Sequence, residues 1–271
     1  MKITAVLALY FSPTGNTKKI ACHLAGKLAE QLQVGLREIA WTTPAQRSEQ
    51  IFAENELVVV ASPTYAGKLP NKILPEFQSL LKGNGAQAVA VVTFGNRSFD
   101  NSAAELTAVL NNAGFCTVAA GAFVGTHAFS DALAPGRPDE NDLRELAQFA
   151  QRIAHKISAS SEPASVTVQG DATVPYYVPK GEDGQPAKFL KAKPLTHAER
   201  CTGCGLCASL CPMASINPAN CGEVTGVCIK CQSCVRNCPK QAKYFDDAAF
   251  LSHVRMLEQN FARRAENYTA V

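Results

Sequence analysis

The stretch CTGCGLCASLCP at residues 201–212 is followed by CIKCQSCVRNCP at residues 228–239. Both runs share the cysteine spacing C-x2-C-x2-C-x3-C-P. Bacterial proteins use this spacing to hold 4Fe–4S clusters, and the fourth cysteine of each run binds the other cluster. The sequence therefore predicts two clusters with crossed ligands. The expected sets are Cys201, Cys204, Cys207 and Cys238 for one cluster, and Cys228, Cys231, Cys234 and Cys211 for the other.

Two other uses of closely spaced cysteines fit this sequence less well. Zinc sites are built from two cysteine pairs rather than from tandem runs of four. Disulfide frameworks belong to small secreted proteins, and we expect no signal peptide because a polar Ser-Pro-Thr-Gly stretch follows the apolar residues 3–10. Free thiolates indicate a reducing, cytoplasmic compartment. The remaining cysteines, Cys22, Cys116 and Cys221, are expected not to bind iron.

Composition limits the function classes. The chain has 271 residues and a formal net charge of +3, so it lacks the strong basic balance typical of nucleic-acid binding. No apolar run approaches the roughly 20 residues that a membrane-spanning helix needs. We therefore expect neither a nucleic-acid partner nor membrane insertion. The length allows one large domain or two of unequal size.

Residues 1–157 alternate between apolar, strand-like runs and helical patterns. Such alternation predicts an α/β domain with a parallel sheet and helices on both of its faces. Ligands of such sheets bind where loops leave the carboxyl ends of the strands. The predicted strands lie at 3–10, 34–39, 56–61, 88–93 and 115–124, and the later helices at 70–81, 101–113 and 139–157.

Three of the predicted loops at that edge have unusual compositions. The first, at residues 12–17, places hydroxyls, an amide and a glycine at the start of a helix, which suits a phosphate. It has neither a Walker lysine pattern nor G-x-G-x-x-G, which disfavours a nucleoside triphosphate or a dinucleotide. The loops at 62–70 and 93–101 each add an aromatic residue and a glycine. Two facing aromatics could enclose a flat ring, although either alone is more often core packing.

With these three loops, residues 1–157 resemble flavodoxin. The loop at 12–17 is similar to the family's Thr/Ser-x-Thr/Ser-Gly-x-Thr pattern, and the other two are similar to its ring-binding loops. The resemblance implies a five-stranded parallel sheet of order 2-1-3-4-5 and FMN as the cofactor. It implies that Tyr65 and Phe99 flank the flavin ring. The implied phosphate ligands are Ser12, Thr14, Gly15, Asn16 and Thr17, the implied backbone contacts are Ala66, Gly67, Gly95 and Asn96, and the site also includes Pro63, Thr64, Lys68, Phe94, Arg97 and Asp100.

The ring loops carry cations where flavodoxins are commonly acidic. A cation beside the flavin would favour its anionic reduced form and raise the potential. We expect this role for Lys68, whereas for Arg97 a solvated loop charge is an equal alternative. His127 follows the fifth predicted strand, and we favour a solvated loop histidine over one near the flavin.

The remaining chain divides into three parts. Residues 158–195 are expected to form an extended strap or linker, with a flexible tether as the alternative. Residues 196–245 resemble the bacterial two-cluster ferredoxin. Because some fifty residues cannot bury a large core, the clusters themselves should hold this unit together. Residues 246–271 show one apolar stripe and are predicted to form an amphipathic helix.

The whole chain resembles flavodoxin–ferredoxin fusion proteins of anaerobes. That resemblance implies an electron-transfer protein relaying electrons between two 4Fe–4S clusters and FMN. Its expected partners are redox proteins such as ferredoxin- or flavodoxin-dependent oxidoreductases. One alternative is an FMN-dependent oxidoreductase that reduces a quinone, nitro compound or disulfide, and another is a redox sensor. The sequence leaves open whether the chain is an enzyme or forms a homodimer, and it shows no nicotinamide-binding motif.

Overall fold

The structure, a computed structural model, describes residues 2–160 and 164–271. The N-terminal elements are β1 (Ala5–Tyr10), α1 (Asn16–Leu32), β2 (Gly35–Ala40), β3 (Gln50–Ile51), β4 (Glu56–Pro63), α2 (Leu74–Leu80), β5 (Leu81–Lys82), β6 (Gln87–Phe94), α3 (Ser102–Asn112), β7 (Cys116–Val124) and α4 (Glu140–Ala159). The C-terminal elements are β8 (Leu195–Thr196), α5 (Leu206–Ser209), α6 (Ser233–Arg236), β9 (Lys243–Tyr244), α7 (Ala248–Asn260) and β10 (Tyr268–Ala270).

The central sheet has the order β10-β7-β6-β4-β1-β2. Its five long strands pair in parallel, and their order is that of the flavodoxin-like doubly wound fold. The predicted fold class and strand order are thus confirmed. The two short strands β3 and β5 form a separate sheet.

Strands β1, β4, β6 and β7 are buried because their sequences are apolar on both faces, whereas the edge strand β2 is largely exposed. Every residue of β6 is buried, and in β4 every residue except the first and last is buried. One side of the sheet packs on α1 and α4 through residues such as Ile20 and Phe149, and the other on α2 and α3 through Phe77 and Leu106. Two apolar layers around one sheet fix the carboxyl ends of β1, β4 and β6 side by side.

A sixth strand, which the sequence did not predict, closes one edge of this sheet. Strand β10 pairs antiparallel with β7, so that Thr269 lies opposite Gly121. The predicted helix over 246–271 is therefore too long, because α7 ends at Asn260. The Asn96 side chain donates hydrogen bonds to the carbonyls of Phe261 and Arg263 and accepts one from the Ala265 amide. These bonds hold the chain in its return path to the sheet.

The segment at 164–194 lies along the α/β domain, as expected of a strap. Its Val166 amide donates to the Thr117 carbonyl at 2.8 Å, and Val166 and Val168 pack against the core. The predicted break at 158–163 falls partly outside the described residues, and α4 runs to Ala159. Helix α7 packs through Phe250 on the strap's Phe189. In the described part of the chain, no helix is both long and apolar enough to span a membrane.

Candidate cofactor sites

A cavity of about 630 Å³ lies at the carboxyl edge of the sheet. Its size is in the range of sites for small molecules and cofactors. The three predicted loops, the strap, α7 and the cysteine-rich unit all contribute walls. The predicted site residues that line it are Thr14, Asn16, Thr17, Pro63, Thr64, Tyr65, Ala66, Gly67, Phe94, Gly95 and Arg97. Those that do not are Ser12, Gly15, Lys68, Asn96, Phe99 and Asp100.

The first loop ends at the amino terminus of α1. Gly15 caps this helix with φ +95°, a backbone conformation that residues other than glycine rarely adopt. The Thr17 and Thr93 hydroxyls hydrogen-bond at 2.7 Å, and Asn16 donates to the Thr126 carbonyl at 2.8 Å. Ser12 instead accepts a bond from the Lys18 amide at 2.9 Å. The helix has no acidic residue in its first turn, so its amino terminus suits an anion.

The second loop makes a tight turn beside the cysteine-rich unit. Ala66 and Gly67 both have positive φ, and a Cβ at Gly67 would collide with the Asp100 carboxylate. Tyr65 lines the cavity next to this turn. Burial, followed by the nearby Cys231 and Cys228, raises the pKa of the Tyr65 phenol well above its usual value. The loop therefore brings an aromatic ring to the boundary between the cavity and one cysteine set.

The third loop differs from its expected role. Phe99 stacks on Tyr268 of β10, with ring centroids 5.3 Å apart, and also contacts Phe94. It belongs to the edge of the core and does not line the cavity, so its predicted place beside the flavin ring is wrong. Asn96 is committed to the C-terminal tail, and Asp100 pairs with Arg97. The cause is β10, which covers this loop and could not be predicted.

Lys68 is buried away from the cavity. Its ammonium pairs with Glu105 at 3.0 Å and donates to the carbonyls of Ala172 at 2.6 Å and Val174 at 3.0 Å. A cation neutralised in this way by a carboxylate and two strap carbonyls does not act as a free charge beside a flavin. The expectation that Lys68 raises the flavin potential directly is therefore corrected: the residue fixes the strap.

Two residues that the sequence did not assign to the site come from the strap. Tyr176 and Tyr177 both line the cavity. Tyr176 donates from its hydroxyl to the Leu69 carbonyl at 2.8 Å, and the Tyr177 amide donates to the Ala66 carbonyl at 2.9 Å. The signal that could have found them is a pair of adjacent tyrosines in a segment otherwise rich in proline.

His127 also lines the cavity, so the favoured interpretation as a solvated loop histidine is wrong. Its Nδ1 accepts a hydrogen bond from the Phe129 amide at 3.0 Å, which leaves the proton of the neutral ring on Nε2. The side chain lies against Gly95, where any Cβ would collide with the ring. Burial, aided by His253, Arg236 and Arg97, lowers the pKa of His127 to about 4.

The cysteines of the two runs surround two smaller cavities. One is lined by Cys211, Cys228, Cys231 and Cys234, and the other by Cys201, Cys204, Cys207 and Cys238. Each set combines three cysteines of one run with the fourth of the other, and four thiols around one void are the donor set of a 4Fe–4S cluster. Buried Cys221 also lines the second void. Over residues 2–160 and 164–271, no three His, Cys, Asp or Glu side chains converge as they would on a single metal ion.

The set of Cys211, Cys228, Cys231 and Cys234, here called the first set, lies against the large cavity. Val227, Cys228, Ile229, Lys230 and Cys231 all line it, together with the loops of the α/β domain. Arg236 holds this contact, because its guanidinium donates to the carbonyls of Ala128 and His127, each at 3.0 Å. A second contact runs from Arg47 to the Pro212 carbonyl at 2.9 Å. The second set is more open, since Cys204 is exposed.

Two family comparisons agree with the cysteine geometry. Two families described as 4Fe–4S binding domains match residues 194–217 and 225–244. These matches support an electron-transfer role for the C-terminal part. The chain combines a sheet of flavodoxin topology with two 4Fe–4S binding domains, which confirms the predicted flavodoxin–ferredoxin fusion.

Solved structures also show likenesses. Rubredoxin oxygen:oxidoreductase from Desulfovibrio gigas is 18% identical over 58% of this chain and 37% of its own, with a TM-score of 0.38. A short-chain flavodoxin associated with a non-canonical PDU bacterial microcompartment is 23% identical over 58% of this chain and 99% of its own, with a TM-score of 0.40. Oxidised flavodoxin 1 from Bacillus cereus is 17% identical over 57% and 99%, with a TM-score of 0.44. No curated protein matches the sequence.

Proposed function

We propose that the chain relays electrons between two 4Fe–4S clusters and FMN, and that it exchanges them with other redox proteins. The observation that supports this most is that Cys228 and Cys231 line the same cavity as the flavodoxin-like loops. When bound, iron–sulfur clusters carry single electrons and FMN accepts two. The chain's own residues would bring the two kinds of cofactor into contact without a gap of solvent between them.

The two cysteine sets differ in burial, and this difference suggests where a partner protein docks. The set at the cavity has two buried members, Cys231 and Cys234, whereas the other includes exposed Cys204, two residues from exposed Leu206. A protein partner can therefore approach the second set but not the first. We propose that partner proteins dock at the loop 201–207, and that the buried set passes electrons onward to the flavin site.

The test is an anaerobic reconstitution followed by rapid mixing with a reduced one-electron carrier protein. We expect two clusters and one FMN per chain, with the clusters becoming reduced before the flavin. A Cys231→Ala variant should still be reduced at its remaining cluster but should pass electrons to the flavin much more slowly. The matched control is Cys22→Ala, far from both sets in sequence. Failure to bind FMN, or equal flavin reduction in Cys231→Ala, would contradict the relay.

A second function is favoured by the enclosure of the cavity. The strap and the cysteine-rich unit cover the ring loops, and most of the lining is apolar with a few polar groups such as His127. Such a site fits an FMN-dependent oxidoreductase that reduces a quinone, nitro compound or disulfide. Steady-state reduction of these acceptors by the pre-reduced chain distinguishes the two functions, because a pure carrier would show no saturable turnover.

Cluster assembly requires free thiolates, which supports a reducing, cytoplasmic compartment. The net charge of +3 gives no support for a nucleic-acid partner. Gel filtration of the reconstituted chain tests whether the relay works within one chain or in a homodimer.

A further inference from the structure

The large cavity has one aromatic wall from a flavodoxin-like loop and another from the strap. Tyr65 belongs to the turn at Ala66 and Gly67, whereas Phe99, the expected second aromatic, stacks on Tyr268. Tyr177 lines the cavity and is held by its amide to the Ala66 carbonyl at 2.9 Å. The third loop contributes only the buried Phe94 to the lining, so the strap supplies the second, more accessible ring.

The Tyr177 ring is held in position by a cation. The guanidinium carbon of Arg97 lies over it, 4.0 Å from the ring centroid, and Arg97 is itself paired with Asp100. Stacking of this kind fixes the orientation of an aromatic ring. Tyr177 is thus pre-oriented at the cavity wall and half-buried, with its backbone on the strap and its support on the third loop.

The strap is anchored beside Tyr177 by a buried charge. The Lys68 and Glu105 side chains are only 9% and 8% exposed, and their ion pair measures 3.0 Å. Lys68 donates to the carbonyls of Ala172 and Val174, while Glu105 accepts from the Leu69 amide at 2.7 Å. A buried ammonium with three acceptors strongly disfavours any movement of the strap that would leave it unpaired.

We infer that Tyr177 forms the aromatic wall against which the flavin ring stacks, and that Lys68 is the positioning residue that holds the strap in place for it. This inference rests on the proposed binding of FMN in the cavity. It means that the flavin site is assembled from two distant segments, the loops of the α/β domain and the strap. A chain truncated before the strap would have a flavodoxin-like sheet with an incomplete site.

The first test measures FMN binding to the full chain, with its clusters in place, by the change in flavin fluorescence. Tyr177→Leu should weaken binding about tenfold and reduce the quenching of flavin fluorescence, because a stacked aromatic pair is lost. Tyr177→Phe keeps the ring and should bind nearly as the wild type does. The matched control is Phe99→Leu, which removes an aromatic residue of the third loop and should leave quenching unchanged.

The second test asks whether Lys68 acts through the strap. Lys68→Met with Glu105→Gln removes both charges together, so that no buried charge is left unpaired. This double variant should weaken FMN binding to a similar extent, and adding Tyr177→Leu to it should cause little further loss. Lys68→Arg should restore much of the binding. Fluorescence of Trp41, the only tryptophan and fully buried, reports whether the α/β domain remains folded.

The outcomes separate the two proposals. If the wild-type chain binds no FMN, both the proposed function and the inference fail. If the wild type binds FMN and Tyr177→Leu binds it equally with unchanged quenching, the relay survives and the inference is overturned. Equal losses for Phe99→Leu and Tyr177→Leu would also overturn it, because the third loop would then supply the wall. If adding Tyr177→Leu to the Lys68 and Glu105 double variant caused the full further loss of FMN binding, Lys68 would not act by positioning Tyr177.

Discussion

Individual thiols decide how the two cysteine runs share their clusters. The void next to the proposed flavin site is lined by Cys211 of the first run and by Cys228, Cys231 and Cys234 of the second, and the other void by Cys238 and three cysteines of the first run. The crossed ligation that we propose would make each run depend on the other, so that neither half would hold a cluster alone. The fourth cysteines, Cys211 and Cys238, are therefore the residues that separate crossed from run-wise ligation.

Replacing a fourth cysteine should remove the cluster of the opposite run. Cys238→Ala should retain about half of the iron and give the same electron paramagnetic resonance spectrum as Cys204→Ala, because both lose a ligand of one site. Cys211→Ala should instead match Cys231→Ala. Control variants Cys22→Ala and Cys221→Ala should keep both signals. Run-wise ligation would be indicated if Cys238→Ala matched Cys231→Ala.

A single histidine makes the stability of the α/β domain depend on pH. Burial lowers the pKa of His127 to about 4, and His253, Arg236 and Arg97 add unfavourable charge. The unfolded chain, with an ordinary histidine pKa near 6.5, therefore binds more protons below that pH than the folded one does. The contribution to stability is fully present above pH 6.5 and is lost as the pH falls towards 4.

We expect this histidine to reduce the free energy of unfolding by about 2 kcal/mol between pH 7 and pH 5. His127→Gln should flatten the pH dependence by that amount, as measured by urea unfolding with Trp41 fluorescence. Exposed His155→Gln serves as the control and should leave the slope unchanged. A wild-type slope retained in His127→Gln would assign the pH dependence to other groups, His253 first among them.

At the scale of elements, the C-terminal tail has more influence than its length suggests. Strand β10 has three residues, but it covers the edge of β7 and stacks Tyr268 on Phe99. An uncovered edge strand offers unpaired backbone groups to other chains. The tail therefore protects the sheet and holds Phe99 at the edge of the core, away from the cavity.

Asn96 is one of the side chains that hold this tail on the α/β domain. Its three hydrogen bonds reach Phe261, Arg263 and Ala265, and the residue is buried. Asn96→Ala should lower the free energy of unfolding by about 2–3 kcal/mol, because buried backbone groups lose their partners. Hydrogen exchange should increase over residues 261–271 and in β7. Exposed Asn141→Ala is the matched control, and unchanged exchange in the tail would contradict the assignment.

The elements also explain which parts of the site the sequence could predict. Each parallel strand is an apolar run with its own local signal, and the loops at 12–17 and 62–67 follow directly from strand ends. Those loops were predicted, and most of their residues line the cavity. Phe99 was expected in the site but stacks on Tyr268 of β10, whereas Tyr177, to which no role was assigned, lines the cavity because the strap brings it there. The expected role of Lys68 was wrong for the same reason, because its partners Ala172 and Val174 lie about a hundred residues away in the sequence.

For the whole molecule, the decisive feature is how the cysteine-rich unit sits on the α/β domain. The small unit has little core of its own, with Ile216, Cys221 and Cys234 as its buried centre. Its clusters should hold it together, while its position depends on a few polar bonds. Arg236 donates to two carbonyls of the loop that carries His127, so one side chain links the cysteine-rich unit to the wall of the large cavity.

Removing that link should weaken the docking of the cysteine-rich unit on the α/β domain without unfolding either part. Arg236→Ala loses two charge-assisted hydrogen bonds to His127 and Ala128, whereas its pair with exposed Asp131 contributes little. A loss of about 2 kcal/mol in docking would raise the separated population about thirtyfold. We expect faster hydrogen exchange at 227–231 and slower transfer from cluster to flavin, with unchanged iron content. Exposed Arg200→Ala is the control. If Arg236→Ala transferred electrons as fast as the wild type, docking would not limit the relay, and the contact at Arg47 would be the next to test.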